Sequence, residues 1–252
     1  MRSTPPESHR LTVPLDTTYF HVTHWKAGSQ WMRGVLEDIF GQAVVPAEHY
    51  NQQIFGRPIF NKKIYTCVYL GKPEFDSLAI PGKSRRLVMI RDLRDTLVSL
   101  YFSCRYSHVL DHPGMKACRH TLTNISKEDG ISHLMETHLC QSANIQRTWL
   151  LSKENVYRLE DLMSGDPGYM REMLESAYDL QIEKTRCETI MESHSFEKLA
   201  SRERGQEDVN AHYRKGIHGD WKNHFTPGIK DRFKYLYNDL LLKAGYEKDS
   251  AW

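Results

Sequence analysis

The run RRLVMIR, from Arg85 to Arg91, constrains the fold of this chain more than any other feature of its sequence. Its central residues, Leu87 to Ile90, are all apolar and lack the alternation of a strand with one solvated face. Such a run is typical of a parallel strand buried on both faces, which requires helices on both sides of the sheet. Helical spacing follows at once, with Leu97, Leu100 and Tyr101 on one stripe. The chain is therefore predicted to have an α/β fold.

The same order of strand, turn and helix is predicted at the start of the chain. The segment Thr17 to Thr23 alternates like a strand, and Ser29 is a reasonable N-cap for the helix that follows. In the second unit, the predicted N-cap is Asp95. Other elements are expected as strands at Ile64–Leu70 and Asn155–Leu162, and as helices at about Ile131–Leu151, onward to about Leu199, and at Ile229–Ala244. The prediction is one domain, residues 15–252, with a mostly parallel central sheet flanked by helices, after a loose N-terminal leader of residues 1–14.

Composition argues against several classes of protein. The 252 residues carry a formal net charge of +2, so binding of nucleic acid through the bulk field is not expected. Five scattered cysteines without a CxxC pair argue against a disulfide framework or zinc site and favour a reducing compartment. The N-terminus lacks a signal-peptide pattern, and no apolar stretch is long enough for a membrane span. We therefore expect a soluble, cytoplasmic protein without a bound metal.

Three segments place positive charge next to predicted turns. Lys26 follows the first strand in HWKAGSQWM, and Arg91 ends the apolar run. Ligands of parallel sheets bind beyond the carboxyl ends of the strands, so we expect these two cations to face one anion. A later turn contains Arg214, Lys215 and Gly216, which adds two cations and a backbone N–H that a ligand can approach closely. This pattern predicts a site for a phosphate-bearing ligand.

Taken in order, the segments resemble the cytosolic sulfotransferases, which use 3′-phosphoadenosine 5′-phosphosulfate (PAPS). THWKAGSQW, Thr23 to Trp31, is similar to the 5′-phosphosulfate loop TYPKSGTTW. RDLRDTLVSLYFS, beginning at Arg91, resembles the 3′-phosphate segment RNPKDVAVSYYHF. Arg214 to Thr226 matches the signature RKGxxGDWKNxFT at every fixed position, and HSFEKL, His194 to Leu199, resembles a segment whose Phe packs on adenine. The likeness extends from Thr17 to Ala244 and implies the P-loop-NTPase-like sulfotransferase fold.

The resemblance also implies roles for individual residues. Lys26 would contact the 5′-phosphosulfate and stabilise charge on the bridging oxygen as the S–O bond breaks. Trp31 and Phe196 would flank the adenine, and Arg91 with Ser99 would hold the 3′-phosphate. The full set of implied cofactor-binding residues is Lys26, Ala27, Gly28, Ser29, Gln30, Trp31, Arg91, Ser99, Phe196, Arg214, Lys215 and Gly216. The implied reaction moves a sulfuryl group from PAPS to an acceptor hydroxyl or amine, and it needs positioning and charge neutralisation rather than a metal.

The sequence departs from the family where a catalytic histidine is expected. In relatives this histidine follows KT before the 3′-phosphate segment, whereas YTCVYLGKPEF has no histidine and has Tyr69 near that point. The Golgi-type sulfotransferases place a glutamate base in the loop after the first helix, and that loop here offers Glu48 and His49. Glu74 is a third option. An acceptor hydroxyl must lose its proton, and the sequence leaves these candidates for the general base open, with Glu48 and His49 ranked equally.

Other departures concern the loop, the adenine and the acceptor. Trp25 replaces the loop proline, and Leu159 occupies a position where many relatives have a tyrosine near the adenine. The family's dimer motif, KxxxTVxxxE, is only partly matched from Lys222 to Asp231, which leaves a homodimer open. The segments Ala43–Lys63 and Ser107–Gly130 are predicted to line the acceptor pocket. Their composition fits a small-molecule, lipid or glycan acceptor equally well.

Two alternative functions remain open on the sequence. A chain without the usual histidine could be a non-catalytic nucleotide-binding protein of the same fold, although Lys26 argues against this. SLAIPGKS, Ser77 to Ser84, ends like a Walker A loop and would suggest a P-loop-type kinase. A Walker A loop follows a strand and precedes a helix, whereas this GKS precedes the strand predicted from Arg85. We interpret it as an ordinary turn.

Overall fold

A sheet of parallel strands forms the centre of the fold in the computed structural model, which describes residues 17–252. Its strands are β1 (Thr17–Val22), β2 (Val44–Val45), β3 (Ile64–Val68), β4 (Lys83–Ile90) and β5 (Val156–Arg158). They lie in the order β2-β3-β1-β4-β5, with every neighbouring pair parallel. The predicted single α/β domain with a parallel sheet is confirmed. The predicted leader, residues 1–14, lies outside the described residues.

Helices connect the strands and cover both faces of the sheet. Their bounds are α1 (Ser29–Phe40), α2 (Gln52–Phe55), α3 (Lys72–Asp76), α4 (Leu93–Phe102), α5 (Pro113–Thr123), α6 (Lys127–Thr137), α7 (Leu139–Leu150), α8 (Leu159–Met163), α9 (Pro167–Tyr178), α10 (Lys184–Ser193), α11 (Phe196–Ala200) and α12 (Pro227–Lys243). Short 3₁₀-helices span Gly41–Ala43, His49–Asn51 and Asp220–Asn223, and a π-helix spans Ser103–Ser107. None of these helices is long and apolar enough to cross a membrane.

The core packed against the sheet has two layers because side chains alternate along the buried strands. Leu87 and Met89 of β4 pack on one face with α1, α9 and α10. Val88 points to the other face, where it packs with Phe75 of α3 and Trp149 of α7. Residues Leu87 to Ile90 are all buried, which confirms the interpretation of the apolar run as a strand covered on both sides.

The predicted strand Asn155–Leu162 is wrong in its second half. Only Val156–Arg158 is extended, and α8 begins at Leu159. In the helical turn the Arg158 Nε lies 2.9 Å from a carboxylate oxygen of Asp161, three residues on. In an extended strand these two side chains would point to opposite faces. Alternation of apolar residues therefore did not distinguish the strand from the short helix that continues it.

The predicted N-cap of α4 is also wrong. Asp92, and not Asp95, caps the helix, since its side chain accepts a hydrogen bond from the amide of Arg94 at 2.8 Å. The helix consequently begins at Leu93, three residues earlier than the capping prediction implied. Asp95 lies in the first turn, where its carboxylate is free to accept hydrogen bonds from another part of the chain.

Both cationic turns lie at the carboxyl edge of the sheet. Strands β1 and β4 are neighbours, with Val22 opposite Val88, and each strand leads into its turn from that edge. Lys26 and Arg91 therefore come to adjacent points on the same edge, as the sequence predicted.

Candidate active site

The loop between β1 and α1 turns sharply around Lys26. The amide of Ala27 donates to the carbonyl of His24 at 3.3 Å, which closes the turn. Lys26 and Gly28 both have a left-handed backbone, with φ of 66° and 76°. Glycine adopts this conformation readily, whereas a lysine rarely does. The turn leads directly into α1, whose first N–H groups lack intrahelical acceptors and favour an anion.

Gly28, and not Ser29, is the N-cap of α1, so the predicted capping role of Ser29 is wrong. The Ser29 hydroxyl instead accepts a hydrogen bond from the Tyr69 hydroxyl at 2.9 Å. Leu159 packs closely over Gly28, because a Cβ at that glycine would lie 2.8 Å from the Leu159 Cδ1. The residue that replaces the family's tyrosine thus supports the cationic loop directly.

Hydrogen bonds from Arg91 connect the turn after β4 to the turn after β1. Its Nη1 donates to the carbonyl of Lys26 at 2.8 Å, and its amide donates to Nε2 of His24 at 3.3 Å. Burial lowers the pKa of His24 to about 4, so this ring is neutral and its Nδ1 donates to the carbonyl of Trp25 at 3.0 Å. The Arg91 Nε is buried and has no hydrogen-bond partner within residues 17–252. A buried guanidinium N–H without a partner is costly in the free protein and suits an anionic ligand.

Positive charge concentrates around Lys26. Burial, followed by the nearby guanidinium groups of Arg91 and Arg214, lowers the pKa of Lys26 to about 8. Three separate segments therefore bring cations into electrostatic contact. The repulsion among them is relieved when an anion binds between them.

The third segment is already paired internally. Asp220 is buried and accepts hydrogen bonds from Arg214, from Lys215 at 2.6 Å and from His224 at 3.1 Å. Arg214 also forms an ion pair with Glu207. Burial alone would raise the pKa of Asp220, but the hydrogen bonds from His224, Lys215 and Arg214 hold it well below its usual range. The two cations of this turn are therefore held in position before any ligand binds.

Asp95 ties this third segment to α4. Its carboxylate accepts from the amide of Gly219 at 2.6 Å and from the amide of Trp221 at 3.0 Å. Burial raises the pKa of Asp95, while Arg91 opposes that change. The helix that follows Arg91 thus fixes the loop that carries Arg214.

The two aromatic residues predicted to flank adenine belong to neighbouring parts of the site. The Trp31 indole donates to the carbonyl of His194 at 2.8 Å, and Phe196 lies two residues further along that segment. A Cβ at Gly216, where φ is 70°, would lie 2.4 Å from the Phe196 ring, so only glycine fits there. The Gly216 turn and the HSF segment are therefore packed together. Ser99 lies part-buried on α4, and Gln30 is exposed at the start of α1.

The structure brings the two predicted acceptor segments together. The His49 Nε2 lies 3.4 Å from a carboxylate oxygen of Asp111, and the rings of Tyr50 and His112 meet edge to face at 5.7 Å between centroids. Glu48 forms an ion pair with Arg57. Glu48 and His49 lie at this junction and stay predictions for the general base.

Tyr69, near the point expected for the family histidine, belongs to the supporting structure. Its ring stacks on Trp25 with centroids 5.1 Å apart, and its hydroxyl donates to Ser29. Burial raises the pKa of Tyr69 well above its ordinary value, so the hydroxyl stays protonated. Glu74, the third candidate base, lies exposed in the first turn of α3.

Two histidines that sequence reasoning did not select interact electrostatically with Lys26. Burial and then the Lys26 ammonium group lower the pKa of both His108 and His212. His108 lies inside the segment predicted to line the acceptor pocket, and His212 immediately precedes the YRKG turn. Proximity to those motifs was the only sequence signal for them.

These features define a class of protein. An α/β fold with unpaired and pre-positioned cations at the carboxyl edge of a parallel sheet has the arrangement that suits a phosphate-bearing ligand. The chain belongs to the sulfotransferase domain family, whose profile matches residues 79–245. That match includes Arg91 and the Arg214 turn, and it begins after the Lys26 loop.

Comparison with individual proteins gives the same family. Human sulfotransferase 1C2 is 22% identical over 166 residues, which cover 60% of this chain and 52% of the human protein. The match therefore spans about half the length of that relative.

Solved sulfotransferase structures share the fold. Mouse sulfotransferase SULT7A1, solved as a complex with PAP, superposes with a TM-score of 0.62 at 18% identity, covering 90% of this chain and 84% of that chain. Retinol dehydratase, solved with retinol and PAP, gives a TM-score of 0.59 at 13% identity, covering 91% and 82%. A second retinol dehydratase structure, with androsterone and PAP, gives 0.57 at 14% identity, covering 89% and 80%. The predicted sulfotransferase fold is confirmed.

Proposed function

We propose that this protein transfers a sulfuryl group from PAPS to the hydroxyl or amine group of an acceptor. The observation that carries the proposal is the cation cluster, in which Arg91 and Arg214 help lower the pKa of Lys26 to about 8 after the effect of burial. PAPS carries anionic groups at both ends of its adenosine, which matches a site built from several separate cationic segments. The PAP complexes of the structural neighbours support the same donor.

The residues present fit that donor. We assign the 5′-phosphosulfate to Lys26 and to the N-terminus of α1, and the 3′-phosphate to the unpartnered Nε of Arg91 and to the Arg214 turn. Ala27, Gly28, Ser29 and Gln30 complete the first group, and Ser99, Lys215 and Gly216 the second. Trp31 and Phe196 remain our candidates for the adenine contacts.

Electrostatic preorganisation supplies most of the catalysis in this proposal. When bound, PAPS supplies an electrophilic sulfur and a phosphate leaving group. Lys26 stabilises the charge that develops on the bridging oxygen as the leaving group departs. A partly buried ammonium group acts more strongly there than one in water, because the surroundings screen it less.

We assign the acceptor to the junction of the two loops that meet at His49 and Asp111. Tyr50 and Val109 are exposed there, so the junction combines apolar and ionisable groups. A small-molecule, lipid or glycan hydroxyl would each find matching contacts at this point.

The alternative hypothesis of a P-loop-type kinase has less support. The GKS sequence leads directly into a strand and not into a helix, since Lys83 is the first residue of β4. A phosphate-binding loop requires the opposite order.

Calorimetry with PAP (adenosine 3′,5′-bisphosphate) tests the donor without knowledge of the acceptor. The bisphosphate should bind far more tightly than AMP, because only it carries the 3′-phosphate that Arg91 would hold. Arg91→Ala should remove about 2–5 kcal/mol of this preference while changing AMP affinity little. The matched control is Arg232→Ala, which removes an exposed arginine that pairs with Glu136 on the surface. Equal binding of PAP and AMP, or tighter binding of magnesium ATP, would contradict the proposal.

A non-catalytic protein of this fold would bind PAP in the same way. Radiolabelled PAPS offered with a panel of phenols, sterols, lipids and glycans separates the two functions. Transfer to any acceptor supports the enzyme, whereas tight PAP binding with no product from any acceptor class favours the non-catalytic alternative.

A further inference from the structure

Arg94 is a buried cation outside the set of residues assigned to the donor. It follows Arg91 in the first turn of α4, and its side chain is only 3% exposed. Its guanidinium carbon lies 4.1 Å from the ring centre of Trp221 and 4.5 Å from that of Trp252. The two indoles meet edge to face, with centroids 5.4 Å apart. A guanidinium held against two indoles away from water makes a strong cation–π contact, which here joins three distant parts of the chain.

Two carboxylates neutralise this guanidinium. Its Nε and Nη2 donate to the carboxylate of Asp92, at 3.0 and 2.7 Å, and its Nη1 donates to the carboxylate of Glu247. Asp92 directly follows Arg91 and caps α4, and its amide donates to the carboxylate of Glu160 at 2.9 Å. Arg94 therefore helps to fix the turn that carries Arg91.

The Trp221 indole connects Arg94 to the third cationic segment. The residue before Trp221 is Asp220, whose carboxylate accepts from Arg214 through one oxygen and from Lys215 through the other. Trp221 and Asp220 belong to one short 3₁₀-helix, so the position of the ring and the position of the carboxylate are coupled. Arg94 thus contacts a residue beside each of the two groups of cations assigned to the 3′-phosphate.

Residues 245–252 supply one wall of this contact. The Trp252 Nε1 donates to Oδ1 of Asn238 at 2.7 Å, and the carbonyl of Ser250 accepts from Nζ of Lys234 at 2.7 Å. Lys234 and Asn238 are four residues apart on α12 and therefore share one face of that helix. The wall that Trp252 forms against Arg94 is consequently anchored to α12.

We propose that Arg94, held by Trp252 and Glu247, is a positioning residue for the 3′-phosphate of the donor. This inference rests on the proposed use of PAPS. Arg94 contacts no ligand in this proposal but fixes the spacing between Arg91 and Arg214, which approach the phosphate from two segments. Hydrogen bonds from guanidinium to phosphate are short and directional, so they depend on that spacing. Docking of Trp252 is then coupled to donor binding, and by reciprocity a bound 3′-phosphate stabilises the docked state.

The chemistry of Arg94 suits positioning better than packing alone. A methionine or leucine could fill the same space against two indoles without the cost of burying a charge. The guanidinium instead forms directed bonds in one plane and presents its flat face to the rings, so it sets both distance and orientation. Its bonds to Asp92 act on the Arg91 turn, and its contact with Trp221 acts on the Arg214 turn.

Trp252→Ala tests the coupling, since removal of Arg94 itself would leave the buried Asp92 unpaired. PAP affinity should fall about tenfold, a usual size of coupling between sites, whereas AMP affinity should stay within about threefold of wild type. Trp252→Phe keeps a ring against Arg94 and should retain most of the PAP affinity. Calorimetry well below the unfolding temperature measures all of these affinities. A PAP loss of less than about threefold in Trp252→Ala, an equal loss for AMP, or the same loss in Trp252→Phe would overturn the inference.

Leu122→Ala is the matched control for a loss of stability. Leu122 is buried in the same apolar cluster as Trp221, but on α5. This variant should unfold more easily than the wild type and should keep the wild-type preference for PAP over AMP. If Leu122→Ala loses that preference as Trp252→Ala does, the effect comes from general loosening and the inference fails. Equal binding of PAP and AMP by the wild type would instead remove the donor proposal, and the inference with it.

Fluorine NMR of protein labelled with 5-fluorotryptophan tests the reciprocal effect. The Trp252 resonance, assigned by its absence from Trp252→Phe, should shift on saturation with PAP and not with AMP. The Trp149 resonance should shift with neither ligand, because that indole packs against Phe75 in another cluster of the core. A Trp252 resonance that PAP leaves unchanged, where calorimetry shows that PAP binds, would overturn the inference while the donor proposal stands.

Discussion

The Lys26 loop and the loop from Arg214 to Asp220 carry the same kind of charge but are built in opposite ways. Within residues 17–252, no hydrogen bond or ion pair is formed by the Lys26 ammonium group, and the nearby Arg91 Nε has no partner. Arg214 and Lys215, by contrast, are bonded to Asp220, which two further side chains also hold. The cations of the Lys26 loop lack counter-charges within the described residues, whereas those of the loop from Arg214 to Asp220 are already paired with Asp220. A cationic motif can therefore contribute to ligand binding and to folding in unequal parts.

Removing the negative charge of Asp220, which pairs the cations of the loop from Arg214 to Asp220, should have the largest effect on stability. Asp220→Asn should lower the free energy of unfolding by about 3–5 kcal/mol, because buried cations lose their counter-charge. Denaturant unfolding measures this change, with the exposed Asp231→Asn as control at less than about 0.5 kcal/mol. A loss as small as that of the control would mean that the pairing contributes nothing to stability.

The stability that Asp220 contributes to the wild type should depend on pH, and the Asp220→Asn variant should lack this dependence. The folded state lowers the pKa of Asp220, so its stabilising effect is present above the ordinary value of 3.8 and is lost as the pH falls below it. Wild type should therefore lose stability more steeply than Asp220→Asn below about pH 4. Parallel slopes for the two proteins would contradict the assigned pairing.

Removing the Lys26 ammonium group, which has no counter-charge among the described residues, should lower the rate of the proposed reaction without destabilising the fold. Lys26→Ala should lower the transfer rate at least about a hundredfold, roughly 2.7 kcal/mol in activation free energy, with no loss of unfolding free energy. Radiolabelled PAPS and denaturant unfolding measure the two quantities. The exposed Lys116→Ala is the matched control for the loss of a positive charge. A normal rate in a folded Lys26→Ala variant would remove Lys26 from the reaction.

The smallest expected effect is the dependence of PAP affinity on alkaline pH. The pKa of Lys26 is about 8 in the free protein, and a bound anion raises it, so binding above pH 8 requires uptake of a proton. Affinity should fall about twofold from pH 7 to 8 and about tenfold from pH 7 to 9. Calorimetry in two buffers of different ionisation enthalpy measures the proton uptake directly. Lys26→Ala should bind PAP without this dependence, and equal wild-type affinities at pH 7 and 9 would contradict the lowered pKa.

The same contrast explains what could be predicted from the sequence. The strand Leu87 to Ile90 was predictable because burial on both faces leaves a continuous apolar run. The Arg214 segment was recognisable because several of its fixed residues also fold the loop: Asp220 binds the cations, and the amide of Trp221 bonds to Asp95. Motifs that serve folding and binding together constrain many positions at once.

The parts that were not predictable depend on contacts between distant segments. The N-cap of α1 falls to Gly28 because Ser29 bonds to Tyr69, 40 residues away. Asp92 caps α4, whereas the carboxylate of Asp95 accepts a hydrogen bond from the amide of Gly219 in a distant loop. The π-helix after α4 ends at His108, whose carbonyl accepts a hydrogen bond from Arg119 of another helix. Local pattern carries no information on any of these pairings.

The left-handed backbone at Lys26 bears on how such a chain evolves and how it can be engineered. A side chain in that conformation costs about 1–2 kcal/mol, which glycine avoids, and glycine also removes a cation crowded by Arg91. Selection for thermal stability alone would therefore tend to replace Lys26 first, while it would preserve Asp220 and its partners. In the proposed function, sulfuryl transfer is what requires a lysine at position 26, so a library sorted for folding without nucleotide should enrich stable proteins that lack it.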